Sequence, residues 1–366
     1  MGADSAIQVH CYQDFTEEIR HLGELSACAT GFDLNLAWFR HLSDNALNSG
    51  ERLFLWHAQD SSGDLLLPTM APVAELRSYR RLVALGNYYT SEFAPIGQVA
   101  DRTASVSAIC RRIAQNRPNW DVIDLRPLNP YDRDFQTLWN ALGSSGYHPY
   151  RYFCFGNWYL PAEKLTFDAY WTTRPKALRN TVKRKGKAFA KGGRGRLEII
   201  TGGAGLEAAI SIYSAIYAAS WKKPEPHPEF MPGLIRLAAQ RGWLRMGLAW
   251  YDHRAVAAQV WLVVNNRAAI YKLAYDESDA RLSAGTLLTA HLMQQVLDAD
   301  KVLEVDYLIG DEPYKRDWMS HRRERWGIVA YNSRTIRGRI GSAMQSIGEW
   351  RRKLLLKFAS WQFVGD

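Results

Sequence analysis

This sequence predicts an α/β chain, an α+β mixed-sheet fold built as two similar halves. Three observations carry that expectation. Helical and strand periodicities alternate along all 366 residues. The length suits two domains of ordinary size. The order of elements in the first half returns in the second.

Taken in order, residues 7–11 read as a short strand, and residues 15–28 and 34–47 as helices. In the second of these helices Leu34, Trp38 and Leu42 recur every four residues. Strands follow at 52–57 and 65–70, joined by a turn at 61–64, and at 81–85. A helix over 105–116 puts Val106, Ile109 and Ile113 on one face. A buried strand at 122–125, a helix over 132–142 stopped by Gly143, and a long aromatic strand over 147–160 complete the half. Residues 161–166 read as a linker.

The second series opens with a basic helix over 175–191, with Leu178, Val182 and Phe189 inward. A strand at 197–200, helices at 206–220 and 229–241, and strands at 244–250, 255–264 and 268–275 come next. A helix over 285–299, strands at 302–306 and 323–331, and a helix from 335 onward finish the chain. When the halves are aligned, 105–125 falls on 285–307, and Ile123-Asp124-Leu125 falls on Val305-Asp306-Tyr307. The expected domains are 1–160 and 167–335, followed by a basic amphipathic helix at 336–366. In that tail Arg351, Arg352, Lys353 and Lys357 accompany Leu354, Leu355, Leu356, Phe358 and Trp361, a pattern that suits an inner-membrane surface or packing against the domain or a second subunit.

Composition removes several classes. A hydrophobic fraction of 47% with 23% charged residues excludes a disordered or fibrous chain. No apolar run approaches the roughly 20 residues that span a bilayer, and no apolar leader follows Met1, so a cytoplasmic location is the default expectation. Cys11, Cys28, Cys110 and Cys154 form no CxxC pair, so buried thiols are expected rather than zinc or a disulfide framework. The net charge is +9, and the ten Lys or Arg between Arg174 and Arg196, with no Asp or Glu among them, can supply all of it. Arg179, Lys183 and Lys187 are four apart and share a helix face, with Arg184 offset from it. Such a face suits tRNA, an acidic glycan, a diphosphate-linked sugar or anionic lipid, or is simply solvated. Fourteen Trp and eighteen Tyr serve either as core bulk or as stacking surfaces for carbohydrate.

Five pieces of the second half carry a resemblance. They are Arg174-Pro-Lys-x-x-Arg179-Asn180-Thr181-x-x-Arg184-Lys185, Ser220-Trp221-Lys222, Tyr271-Lys272-Leu-Ala-Tyr275-Asp276, Ser283-Ala284-Gly285-Thr286, and Asp306-Tyr-Leu-x-Gly310-Asp311-x-x-Tyr314-Lys315-x-x-Trp318. Together, over roughly 167–338, they resemble the CelD-like group of GNAT acetyltransferases, which is tied to bacterial polysaccharide and envelope genes. The duplicated order is similar to that of the Fem-type aminoacyltransferases, which are two GNAT-like domains in tandem. The first half matches only in element order and is expected to be a degenerate copy.

The resemblance implies acyl transfer from acetyl-CoA, or another acyl-CoA, to an amine. That reaction needs a held pyrophosphate, a polarised carbonyl, a neutral amine and a protonated thiolate. Phosphate holding is expected from Arg281, Ser283, Ala284, Gly285 and Thr286 at a helix start. Family members usually show Q/R-x-x-G-x-G/A there; here Arg281 and a central Gly285 remain, Ala284 holds the first glycine position and Thr286 the last, and Ser283 as a plain helix cap is the alternative. Asp306, at the end of an apolar strand, is the expected base or amine-orienting group, with a cap or salt bridge as the other reading. Lys272 is expected to neutralise an anion or to pair with a carboxylate, and Tyr314 to protonate the thiolate or to pack. Arg179, Asn180, Trp221, Lys222, Tyr275, Asp311 and Lys315 are the expected substrate contacts.

The expected activity is therefore a metal-free N-acyltransferase acting on a small-molecule or glycan acceptor. The acceptor is expected to be an amino sugar of an exopolysaccharide or envelope precursor, with peripheral association with the inner membrane or polysaccharide machinery. Two alternatives stand beside it: a Fem-like transferase using aminoacyl-tRNA, and a non-catalytic glycan or nucleic-acid binding module.

Overall fold

The computed structural model describes residues 7–15, 19, 22, 31–72 and 79–361, with side chains to residue 348. Most of the expected helix at 15–28, and Cys28 with it, lies outside the described residues, as do the tail side chains from Glu349 onward.

Strand β1 (Gln8–Tyr12) is followed by helix α1 (Leu36–Ala46) and the hairpin β2 (Arg52–Asp60) and β3 (Gly63–Ala71). Then come β4 (Arg81–Ala84), β5 (Ile96–Gln98), α2 (Arg102–Ala114), β6 (Val122–Leu128), α3 (Arg133–Ser144) and the long β7 (Tyr147–Pro161). The second series is α4 (Phe167–Thr172), α5 (Lys176–Ala190), β8 (Gly195–Ile200), α6 (Leu206–Ala218), α7 (Phe230–Gln240), β9 (Leu244–Tyr251), β10 (Arg254–Val264) and β11 (Arg267–Tyr275). It closes with α8 (Ala284–Gln294), β12 (Glu304–Asp306), α9 (Lys315–Trp318), β13 (His321–Asn332) and α10 (Ile336–Trp361).

The short elements β5, α4 and α9 are too brief to leave a period in the sequence. The expected helix at 285–299 is α8 to Gln294, after which the backbone widens into a π turn over Gln295–Ala299.

The chain forms two compact units. One comprises Met1–Ala27, Leu47–Cys154 and Arg325–Asp366; the other comprises Cys28–Ala46 and Phe155–Glu324. In the first, β1, β2, β3 and β4 pair antiparallel in that order, and β6 lies parallel to β4. Strand β5 pairs with β3, and β13 runs antiparallel beside β6. In the second unit β8, β9, β10 and β11 pair antiparallel, β12 lies parallel to β11, and the end of β7 runs antiparallel beside β12. The order is the same in both: four antiparallel strands, a helix, a parallel fifth strand and an antiparallel sixth. The sixth strand of each unit comes from the other half of the sequence.

The duplication extends to individual side chains. In the first unit Arg81 stands opposite Val122 and Val83 opposite Asp124. In the second Arg267 stands opposite Glu304 and Ala269 opposite Asp306. Both arginines reach diagonally to the aspartate, Arg81 to Asp124 and Arg267 to Asp306. The same clasp therefore ties the parallel strand pair in each unit.

The core of the second unit packs Leu287, Leu288, Leu292 and Met293 of α8 against Trp261, Ile270 and Val305 of the sheet. Gly247 of β9 allows this approach, since a Cβ there would come 2.8 Å from Leu292 and 2.9 Å from Leu288. Helix α1 belongs to the same unit. Its Trp38 packs edge-on against Phe230 of α7 at 5.6 Å, and His41 Nε2 lies 2.9 Å from the Phe230 carbonyl oxygen.

Candidate active site

The parallel pairing of β11 with β12 ends at Ala269 opposite Asp306, while β11 continues to Tyr275. The two strands therefore part. Against β10, Lys272 faces Val260 and Ile270 faces Trp261, which leaves Tyr271 as the extra residue of a bulge. Beyond the parting lies a cavity of about 550 Å³. Leu273, Ala274 and Tyr275 of β11 line one side, and Tyr307, Tyr314, Asp317 and Trp318 another. Ala177, Leu178 and Thr181 of α5 and Ser283 to Thr286 at the start of α8 complete it, together with Gln259 and Thr289.

The start of α8 is built to leave its amides free. Ser283 takes a left-handed conformation (φ 55°, ψ 32°), and its hydroxyl makes no cap hydrogen bond. That overturns the plain-cap alternative for Ser283. A non-glycine residue held this way costs about 1–2 kcal/mol and favours a functional reading. The first turn of the helix lines the cavity, and an uncapped helix start with its positive dipole end is an arrangement that attracts phosphate. A Cβ on Gly285 would meet only Tyr275 Cδ1, at 3.6 Å, so nothing in the chain itself requires glycine there. Gln259 holds this turn: its Nε2 donates to the Gly285 carbonyl at 2.9 Å and to Thr289 Oγ1 at 2.8 Å, and its Oε1 accepts from Trp261 Nε1 at 2.9 Å.

The matching helix of the first unit differs here. The Asp101 carboxylate caps α2 by accepting from the Ala104 N–H at 2.8 Å. An acid in that place satisfies the amide and repels a phosphate.

The other expected residues divide. Trp221 and Tyr275 meet with ring centroids 4.6 Å apart, and Trp221 is half exposed at the cavity. Tyr314 lines the cavity, and its phenol is pushed up to about 12 by burial and then by Glu312. Lys222 follows Trp221; burial, and then the Lys272 charge, lower it to about 8. Lys272 is buried and donates to Glu225 Oε1 at 2.9 Å, so its partner is a carboxylate of the Pro-rich turn after α6. Asn180 is exposed on α5 beside the cavity, and Arg281 is exposed just before α8.

One expectation is corrected, that Asp306 lines the site, and three expected contacts are engaged within the chain. Asp306 is fully buried, and its oxygens accept from Asn157 Nδ2 (2.5 Å), the Leu308 N–H (2.6 Å), Arg323 Nη2 (2.5 Å) and Arg267. It does not line the cavity, and a carboxylate held by two guanidinium groups is a poor proton acceptor. Asp311 is held by a paired Arg322 and by Trp158 Nε1 at 2.7 Å, and the Arg322 guanidinium keeps its carboxyl below the usual range. Lys315 is buried; its Nζ donates to the Ile309 carbonyl and pairs with Glu312 Oε2 at 2.8 Å, so it fastens the loop after β12. Arg179 turns back along the chain, with Nε donating to the Arg174 carbonyl at 3.1 Å. The cationic face of α5 is instead Lys183, Arg184 and Lys187 with Asn180.

Sequence reasoning missed Asp317, which stands in an unassigned position between Lys315 and Trp318 and brings a carboxylate to the cavity. It also missed the role of Gln259, whose signal was a lone amide in an apolar strand. Among the described residues no cluster of His, Cys, Asp or Glu is arranged to hold a metal ion.

Residues 176–316 match the acetyltransferase (GNAT) domain family. This acetyltransferase (GNAT) domain contains every residue lining the cavity except Asp317 and Trp318. Similar folds recur among solved structures. FemX aligns at a TM-score of 0.61 with 8% identity, covering 86% of this chain and 95% of its own. A conserved protein of unknown function from Bacteroides thetaiotaomicron aligns at 0.57 with 8% identity, covering 88% of this chain and all of its own. The C-terminal domain of a putative lysylphosphatidylglycerol synthetase from Agrobacterium fabrum aligns at 0.51 with 12% identity, covering 90% and 95%. At these identities the likeness is one of fold. No curated protein matches the chain. The chain thus has a mixed α/β fold similar to that of FemX, and residues 176–316 within it match an acetyltransferase (GNAT) domain.

Proposed function

We propose that this protein transfers an acyl group from an acyl-CoA thioester to the amine of an amino sugar in a bacterial glycan precursor. The observation that carries the reading is the cavity at the parted strands, with the uncapped first turn of α8 at one end. GNAT domains use acyl-CoA, and an uncapped helix start suits its pyrophosphate. In this reading the unit containing Phe155–Glu324 works on the donor. The other is a degenerate copy, because Asp101 occupies its matching helix start.

The amine attacks the thioester carbonyl; the C–N bond forms, the C–S bond breaks, and the amine proton ends on sulfur. Asp317 orients the amine, accepts its proton in place of Asp306 and passes it to the departing sulfur, since a thiolate is the stronger base. A thiol titrates near 8.5, so full proton transfer from Tyr314, at about 12, runs uphill. Tyr314 therefore donates a hydrogen bond to the departing sulfur and keeps its proton. The Trp221–Tyr275 pair offers an aromatic face to the apolar side of a sugar ring. The likeness of the sequence pieces to the CelD-like group supports a glycan acceptor.

Calorimetric titration with acetyl-CoA tests the donor. Saturable binding that persists at moderate salt is expected, and absence of binding overturns the reading. Steep salt-dependent binding of tRNA without any CoA dependence favours the Fem-like alternative, for which the cationic face of α5 is the relevant feature.

We further place α10 on an anionic membrane surface. Ser342 and Ser346 lie 2.9 and 2.7 Å from Tyr150 Oη, which pins one side of the helix. Ile336, Ile340, Met344 and Ile347 stand 55–73% exposed at helical spacing on another. Over 336–361 the sequence carries six Lys or Arg and one acid. No described helix is long and apolar enough to cross a membrane. Co-sedimentation with phosphatidylglycerol vesicles is expected and should fail for Ile340→Asp/Met344→Asp. Equal recovery with and without vesicles refutes the placement.

A further inference from the structure

Helix α5 carries six Lys or Arg and no acid. It presents two adjoining surfaces. Ala177, Leu178 and Thr181 wall the cavity described above. Thr181 also borders a second cavity of about 430 Å³, lined by Asn180, Lys183, Arg184 and Lys187. All three cations are exposed, and among the described residues no carboxylate pairs with them. The absence of acids leaves an unbalanced positive field at this face.

The position of α5 relative to α8 gives that field a use. Lys185 Nζ donates to the Arg281 carbonyl at 2.5 Å, which ties α5 to the turn entering α8. Gly186 lies against Leu287 in the first turn of α8, at ordinary van der Waals distance for an added Cβ. Two anion-attracting elements therefore stand side by side: free amides at the helix start, and three cations across the width of one helix. A ligand that satisfies both has a diphosphate and a further, separate phosphate.

We propose that Lys183, Arg184 and Lys187 bind the 3′-phosphate of the acyl donor's nucleotide while the α8 amides take its diphosphate. This rests on the acyl-CoA reading and adds to it a residue-level site. Each exposed contact contributes little alone, and three together account for about tenfold in affinity at low salt. Screening shrinks that factor as salt rises.

The test compares acetyl-CoA with 3′-dephospho-acetyl-CoA by calorimetry, for the full chain and for Lys183→Ala/Lys187→Ala, at about 50 and about 200 mM salt. Wild type is expected to prefer acetyl-CoA about tenfold at the lower salt. The variant, which keeps Arg184, is expected to lose most of the preference while binding the dephospho compound as wild type does. Circular dichroism confirms its fold, since both positions are exposed. Equal affinity of wild type for both compounds overturns the proposal and leaves the donor reading standing. An equal loss for both compounds in the variant also overturns it, because the face would then act on a group they share. Binding of neither compound removes the donor reading and the proposal with it.

Discussion

Burial gives Lys222 a chemistry unlike that of an ordinary lysine. Its ammonium loses water, and Lys272 adds a like charge, which brings it to about 8 from 10.5. Between those values the unfolded chain binds more protons at this site than the folded one. Stability contributed here therefore rises as pH climbs from 8 to 10.5 and has no slope below 8. A side-chain NMR titration of Lys222 is expected to show a midpoint near 8, and one above 10 would sink the assignment. Asp317 is the other decisive side chain. Asp317→Asn keeps the carboxylate's shape and removes its basicity, so kcat/KM with acetyl-CoA and glucosamine should fall about 100-fold while folding is kept. A change under twofold would move the proton acceptor elsewhere. Lys222, as a desolvated amine one residue from Trp221, is where we would look next.

At the scale of elements, the start of α8 and the parting of β11 from β12 make the site. Gly285 separates its two roles. Alanine in a helix is favoured over glycine by roughly 0.5–1 kcal/mol, and the added Cβ meets only Tyr275 at ordinary distance. Gly285→Ala is thus expected to keep or slightly raise the melting temperature while weakening acetyl-CoA binding about tenfold, since the methyl fills the ligand's approach. Unchanged affinity would show that the donor does not come near this turn. The helix itself was legible from period and composition, because Leu287, Leu288 and Leu292 repeat on the buried side. Its entry was not, because a left-handed Ser283 leaves no mark in the residue types around it. The role of α5 was half legible. Its charge was plain in the sequence, but its face came out with Arg184 included and Arg179 turned back to Arg174.

At the scale of the whole molecule the duplication decides what Asp306 does. Asp124 and Asp306 end matching strands, each clasped by an arginine from the parallel neighbour. In the first unit Tyr152 Oη donates to Asp124 at 2.5 Å, and in the second Asn157 Nδ2 donates to Asp306 at 2.5 Å. A group that recurs in a unit whose matching helix start is closed by Asp101 serves folding. Removing one partner of such a buried pair costs about 3–5 kcal/mol. Asp306→Ala and Asp124→Ala are both expected to lose stability on that scale in denaturant unfolding, with Asp306→Asn as the milder control. An Asp306→Ala protein that keeps full stability and loses turnover would restore that carboxylate as the base.

The sequence by itself determined the alternation of elements, the repeat, the cationic helix and the stretch that carries the acetyltransferase domain. These are properties of local period, composition and spacing, which each segment holds without reference to the rest. Tertiary structure alone decided that β7 and β13 complete the opposite units and that α1 joins the second. It also decided that Asp306, Asp311 and Lys315 are spent on ion pairs and loop contacts while Asp317 reaches the cavity. The reason is physical. Whether a carboxylate is a base or a tie depends on which donors surround it, and Asp306 meets Arg267 and Arg323 only after the strands have paired.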